Sequence, residues 1–211
     1  MIKVRRGMDL PIAGTPEQTI YDGPAVSQVA LIGSDYHGMK PTMAVRQGDV
    51  VKKGQLLFTD KKNDSAKYVA PAPGTVAAIN RGERRVFQSL VIDVEGHESK
   101  TFAAYKSEQL QELDRQLVTD QLVESGQWVA FRTRPFSKVP SAGSVASSIF
   151  VTAMDTNPLA ADPTVIIGQR EGDFANGLKV LSRLTDGPVN VCTAPDVSIP
   201  GEEVEGVREI N

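Results

Sequence analysis

The chain has 211 residues, 40% of them hydrophobic and 23% charged, with a formal net charge of −3. Those fractions fit a globular protein of one large or two ordinary domains and exclude a disordered or fibrous one. Lys and Arg are scattered among acids without forming a stripe, so no nucleic acid is expected as a partner.

No transmembrane segment is expected. The longest apolar-leaning stretch, Val145 to Met154, is interrupted by Ser147, Ser148 and Thr152 and falls far short of the ~20 residues that cross a bilayer. The first seven residues carry Lys3, Arg5 and Arg6 but no apolar run of a secretory signal, so a reducing, cytoplasmic location is the default. The single cysteine, Cys192, excludes an internal disulfide and a cysteine-ligated iron–sulfur cluster or zinc ribbon within the chain. With no His near it in sequence, it reads as a small buried core residue. Two histidines, His37 and His97, are too few for a His-based metal site, and no metal is expected; His97, in Val94-Glu95-Gly96-His97-Glu98, reads as part of a hairpin turn.

Residues 1–25, with Gly7, Pro11, Gly14 and Pro16, read as an extended N-terminal arm that packs on something. A β domain is expected over residues 26–105. Val26 to Ile32 reads as a strand leading to a turn at Gly33 to Gly38, Met43 to Val45 resumes the sheet, and Val86 to Val94 closes it with one buried face at Leu90, Ile92 and Val94. Between them, Gly48-Asp49-Val50-Val51-Lys52-Lys53-Gly54-Gln55 and Ala70-Pro71-Ala72-Pro73-Gly74-Thr75-Val76 are short strands punctuated by Gly, Asp and Pro, the pattern of tight hairpins. Asp60 to Lys67 reads as a charged, solvated loop between them.

The pattern changes at about residue 106, where an α/β domain running to 211 is expected. Ser107 caps a helix with Leu110, Leu113 and Leu117 on one face, and a second short helix runs from near Thr119 to Gly126. Trp128 to Pro140 is too rich in proline and bulky residues for a regular element and reads as an ordered loop. Ile149 to Met154 is a buried-strand candidate. Asp162-Pro163 opens a helix, interrupted at Gly168 and Gly172 and continuing with Phe174, Leu178, Leu181 and Leu184 on one face. Val189 to Cys192 is then a strand, which makes a β-α-β crossover in a parallel sheet. The Pro-, Gly- and Glu-rich tail from Thr193 is expected to add no strand, so the α/β domain is expected to be partial and the chain a piece of a longer polypeptide or a docking subunit.

No dinucleotide fingerprint, Walker loop, His-Glu-x-x-His or Gly-x-Ser-x-Gly is present, and no catalytic residue is assigned. The two hairpin motifs resemble the barrel-sandwich hybrid fold of biotinyl and lipoyl carrier domains, whose hairpin tip displays a modified lysine. Here the modified position falls near Asp64 and neither carrier motif is present; Lys61, Lys62 and Lys67 would be the candidates if the chain were a carrier or adaptor domain, the alternative reading.

Taken in order, Gly7 to Gly14, Asp35-Tyr36-His37-Gly38-Met39-Lys40-Pro41, the hairpin motifs and Phe131-Arg132-Thr133-Arg134-Pro135-Phe136-Ser137-Lys138-Val139-Pro140 resemble the NqrA subunits of the bacterial sodium-translocating NADH:quinone oxidoreductases, over essentially the whole chain. The resemblance implies a barrel-sandwich hybrid domain followed by a Rossmann-like α/β domain similar to the complex I flavoprotein subunit. It further implies a peripheral location on the cytoplasmic side of the bacterial inner membrane, where the chain is held by other subunits of the complex, with flavins and an iron–sulfur centre in those partners. The related Rnf complex has an electron-transport relative with ferredoxin-type cysteines, absent here. The complex I relative grips its flavin phosphate with a glycine-rich loop, and the matching place is filled by the bulky 131–136 run, so no flavin is expected in that mode and no cofactor in this chain. A third reading, a small flavin or iron–sulfur reductase, would require a coloured protein. Trp128, Phe131, Arg132, Arg134 and Phe136 are candidates for contact with a quinone, ubiquinone being the one implied, or with a partner subunit.

Overall fold

The architecture, in a computed structural model that describes residues 10–201 and 203–210, is mixed α and β. It comprises two compact units. One spans Gly23–Ala146; the other joins the described residues up to Asp22 with those from Ser147 onward. The first part of the arm, including Gly7 to Asp9, lies outside the described residues.

The first unit is built on two antiparallel sheets. Strands β1 (Gln28–Ile32), β3 (Val50–Val51), β6 (Gly74–Arg81) and β7 (Phe87–Val94) form one in the order β1-β7-β6-β3; β2 (Pro41–Met43), β4 (Leu56–Asp60) and β5 (Asn63–Val69) form the other in the order β2-β4-β5. The expected alternation in β7 holds at Leu90 and Ile92, both fully buried. They join Leu57, Phe58, Tyr68 and Val76 in one core. Its centre is aromatic: Phe58 stacks on Tyr68 at 4.6 Å, and Tyr36 meets Tyr68 edge-on at 4.6 Å.

The two hairpin motifs bind each other through backbone. Gly48 N–H donates to Val76 O and Val76 N–H to Asp49 O, while Gly54 N–H donates to Ala70 O and Ala70 N–H to Gln55 O. Gly48 (φ 91°) and Gly54 (φ 82°) turn in the left-handed region. The Asp49 carboxylate accepts from Arg46 N–H at 2.8 Å and the Gln55 side chain from Lys52 N–H at 3.1 Å. Gly74 is fixed more tightly still: its φ is 148°, and a Cβ there would lie 1.8 Å from Asp93 O.

The stretch Asp60 to Lys67 is not a loop. β4 and β5 are joined by Lys61 and Lys62 alone, and Asp64 and Lys67 belong to β5. Asp60 makes so tight a turn possible, because its carboxylate accepts from both Lys40 N–H and Lys62 N–H.

The helical region after the barrel also differs from expectation. Ser107–Glu112 is a 3-10 turn, and α1 (Arg115–Glu124) starts afresh because Asp114 accepts from Gln116 N–H and Leu117 N–H. α1 buries Val118 and Thr119, and Leu117 is exposed, so the leucine stripe is not its packed face. Gly126 ends the region as expected, at φ 75°, and lies against Val69 of β5. Residues 107–146 therefore pack with the barrel, although the composition change at 106 had suggested the start of the α/β domain. Val129 and Val139 pack on the barrel core, and Asn63 and Ser65 of β5 bond to the backbone of residues 139–142.

In the second unit, β8 (Ile149–Thr152), α2 (Pro163–Gln169), α3 (Glu171–Ser182) and β9 (Val189–Cys192) form the expected parallel crossover. Asp162 caps α2, accepting from Thr164 N–H at 2.9 Å. The tail does more than expected: Val207–Ile210 forms β10, parallel to β9, giving the order β10-β9-β8. Ile199 and Val204 enter the core with Leu178, Val189 and Val191, and Gly201 (φ 104°) passes so close to α3 that a Cβ would meet Leu178 Cδ1 at 2.4 Å. Cys192, at the end of β9, is half-buried rather than a core residue. The described part of the arm is exposed almost throughout, and Gln18 ties it to this unit, accepting from Asp162 N–H and reaching Ala160 O.

Candidate functional site

The sequence from Gly126 to Pro140 folds into a corner on the barrel. A 3-10 turn over Gln127–Ala130 follows Gly126 and buries Trp128, whose indole N–H donates to Pro140 O at 2.9 Å. Phe131 packs edge-on against Trp128, ring centroids 5.1 Å apart. Arg132 then folds back: its Nη1 donates to the carbonyls of Val129 and Phe131, and its guanidinium lies over the Tyr36 ring at 5.6 Å. Trp128, Phe131 and Arg132 are thus brought together.

Arg134 and Phe136 are not part of that corner. Thr133 N–H donates to Lys138 O and Ser137 N–H to Thr133 O, closing a turn that carries Arg134, Pro135 and Phe136 outward, with Phe136 71% exposed. The Arg134–Pro135 peptide is cis. The backbone N–H groups of Phe131, Thr133 and Ser137 are hydrogen-bonded within the loop.

Beside the corner, an open cleft of about 830 Å³ is lined by Tyr36, Tyr68, Lys53, His97, Lys100, Phe102 and Val129, among others. Burial raises the Tyr36 hydroxyl pKa, helped by Asp35 and opposed by Arg132. Tyr68 is pushed up to about 12 by burial and then by Asp60, again opposed by Arg132. Both phenols therefore stay protonated near neutrality, but Tyr68 is fully buried against Phe58 and Tyr36, so it is the half-buried Tyr36 that offers a donor and an aromatic ring at the cleft. Lys100 pairs with Glu124 at 2.8 Å, which holds that carboxyl below its usual range. Tyr36 is a residue that reasoning from sequence did not assign to a site; it stood in the Asp35 to Pro41 motif, and its proximity to Arg132 depends on long-range packing. His97 lies in a turn at Gly96 (φ 77°), but the chain then makes a parallel bridge from Ser99 to Lys53 rather than a returning hairpin.

Among the described residues, no group of three or more His, Cys, Asp or Glu is placed to hold a metal, and no helix is long and apolar enough to cross a membrane. Lys61 and Lys62 form a two-residue turn, and Lys62 Nζ donates to Gly38 O at 3.2 Å. Lys67 lies inside β5, away from any tip.

The fold and the mutually bonded hairpin motifs define a barrel-sandwich hybrid domain followed by an α/β domain. Residues 2–95 match the family model of the NqrA N-terminal barrel-sandwich hybrid domain, and residues 113–211 that of the NqrA second alpha/beta domain. The chain belongs to the NqrA family. It is 61% identical over 204 residues to the A-subunit of the Na(+)-translocating NADH-quinone reductase of Teredinibacter turnerae, an alignment covering 97% of this chain and 46% of the relative. The corresponding subunits of Saccharophagus degradans and Haemophilus influenzae are 62% identical over 208 residues and 58% over 209, covering 99% of this chain in each case and 46% and 47% of the relatives. The chain thus spans a little under half the length of these relatives.

Proposed function

We propose that the chain is part of the NqrA subunit of a Na+-translocating NADH:quinone reductase, a complex that couples quinone reduction to sodium export. The observation that carries this reading is the identity of about 60% to subunits so named, sustained through both domains. In this reading the chain sits peripherally on the cytoplasmic side of the inner membrane, is held by the other subunits and binds no cofactor itself, the flavins and iron–sulfur centre belonging to its partners.

Within this chain, Trp128, Phe131 and Arg132 with Tyr36 form the contact for a quinone head group. A planar, weakly polar ring needs aromatic faces and one or two donors at the edge of a cleft, and the corner beside the 830 Å³ cleft supplies Phe131, Tyr36 and the Arg132 guanidinium. Arg134 and Phe136, on the outward turn, serve a contact outside the chain. The test is purification with the neighbouring subunits and crosslinking with a photoreactive ubiquinone analogue. Labelled peptides containing Tyr36 or Phe131 are the expected result, and labelling confined to other subunits would refute the quinone contact while leaving the assignment to the complex intact.

A further inference from the structure

One end of the barrel gathers cations from four separate turns. Ile32 of β1 pairs with Ser89 of β7, and the following Gly33 abuts Phe87, so the turn after β1 and the β6–β7 turn lie together. Lys61 N–H donates to Lys40 O and Lys62 Nζ to Gly38 O, which brings the β4–β5 turn to the same end. Phe58, two residues before Asp60, touches Phe87 at 5.2 Å. Asn63 Nδ2 donates to Val139 O and Pro140 O, which fixes the Thr133–Lys138 turn beside them.

The exposed side chains on this end include Lys40, Lys61, Lys62, Arg81, Arg84 and Arg85, and the Thr133–Lys138 turn adds Arg134 and Lys138. The acids beside them are Asp35, Asp60, Asp64 and Glu83, and Asp60 is already engaged by two backbone N–H groups. None of these eight cations forms an ion pair among the described residues. An end richer in cations than acids, on a chain of net charge −3, is a local field and not a reflection of composition. Arg84 (φ 53°) and Arg85 (φ 61°) hold the β6–β7 turn in left-handed backbone, where glycine is the unstrained choice. Two apolar side chains project among the cations on different turns, Val86 (63% exposed) and Phe136 (71% exposed).

We propose that this end of the barrel docks on the surface of an anionic lipid bilayer. Lys and Arg near a leaflet of anionic lipid are attracted within a Debye length, and a single aromatic or aliphatic side chain on a protruding turn enters the headgroup region. A protein interface is expected instead to have a contiguous apolar centre, whereas Val86 and Phe136 stand on separate turns. The inference rests on the peripheral-membrane reading for the choice of surface, and its test is independent of the complex.

The experiment is flotation of the 211-residue chain with vesicles of phosphatidylglycerol and phosphatidylethanolamine, against vesicles of phosphatidylcholine, at low and at 0.5 M salt. The chain is expected to float with the anionic vesicles at low salt and to be released by salt. Lys61→Ser with Lys62→Ser should weaken binding roughly fivefold for each cation removed, and Phe136→Ser should weaken the low-salt binding without changing its salt dependence, all with unchanged circular dichroism. Absence of binding to anionic vesicles at low salt, or equal binding to neutral ones, would overturn the proposal. Loss of co-purification with partner subunits in the lysine variants, without vesicle binding by the parent chain, would identify the end as a protein interface instead. Vesicle binding by a chain that fails to co-purify with any reductase subunit would sustain the docking surface and remove the assignment to the complex.

Discussion

The guanidinium of Arg132 lies over the ring of Tyr36, its carbon 5.6 Å from the ring centroid. The two residues are far apart in sequence, and the contact is held from the Arg132 side by donation to Val129 and Phe131 carbonyls. Tyr36 in turn packs edge-on against the buried Tyr68. Tyr36, which lines the cleft, thereby joins the cation to the barrel core.

Replacing Arg132 by Ala should lower quinone affinity by roughly five- to thirtyfold, the range expected for losing one cation–π contact and charge-assisted hydrogen bonding. Arg134→Ala should leave that affinity within about twofold, because its turn points away from the corner. Quenching of the single tryptophan, Trp128, provides the titration, and equal losses in both variants would contradict the division of the loop into two groups.

Gly74→Ala is expected to destabilise the barrel by more than about 3 kcal/mol, since both its φ of 148° and the approach of Asp93 O exclude a Cβ. Gly126→Ala should cost less, about 1–3 kcal/mol, because its clash is with side-chain atoms of Val69 and not with backbone. Thermal melting of the two variants tests the order. A smaller loss for Gly74→Ala than for Gly126→Ala would show that the hairpin junction is more plastic than its geometry implies.

Stability should fall at high pH through Tyr68. Its folded pKa is raised to about 12, above the ordinary value of 10.0, so the neutral phenol favours the fold fully below about pH 10. That contribution is lost as the pH rises through 12. The loss is at most on the order of 2–3 kcal/mol. Chemical denaturation at pH 9 and pH 11.5 should show it, and Tyr68→Phe should flatten the difference between the two.

The intact mass of the chain, expressed with biotin and lipoate ligases, should equal that of the unmodified sequence, 22.7 kDa. Neither carrier motif surrounds the Lys61–Lys62 turn, and Lys67 lies within a strand. An added biotin or lipoyl mass on Lys61, Lys62 or Lys67 would revive the carrier reading.

The barrel was legible because its turns are written in residues with one conformational purpose. Gly48, Asp49, Gly54, Gln55 and Gly74 are each used by backbone geometry that other residues resist. The crossover was legible from the Asp162-Pro163 cap and the Phe174–Leu184 stripe. β10 was not, since its four residues, Val207–Ile210, sit in a polar tail and owe their pairing to β9. Leu110, Leu113 and Leu117 suggested a helix that Asp114 divides, because a local side-chain cap outweighed the apolar period. Of the candidate site, the aromatic and arginine residues were visible, but the separation of Arg132 from Arg134 depends on the Thr133–Lys138 backbone pairing, which no periodicity announces.

The packing of residues 107–146 on the barrel means that the module defined by sequence kinship and the piece that folds are not the same length. The first family match ends at 95, whereas the compact unit runs to Ala146. A chain shortened to residue 105 keeps every strand of both sheets but strips Val129 and Val139 from the core, Gly126 from Val69 and Arg132 from Tyr36. Limited proteolysis should therefore yield a resistant fragment that ends near Ala146, and the barrel's last forty or so residues act as its outer wall rather than as a linker.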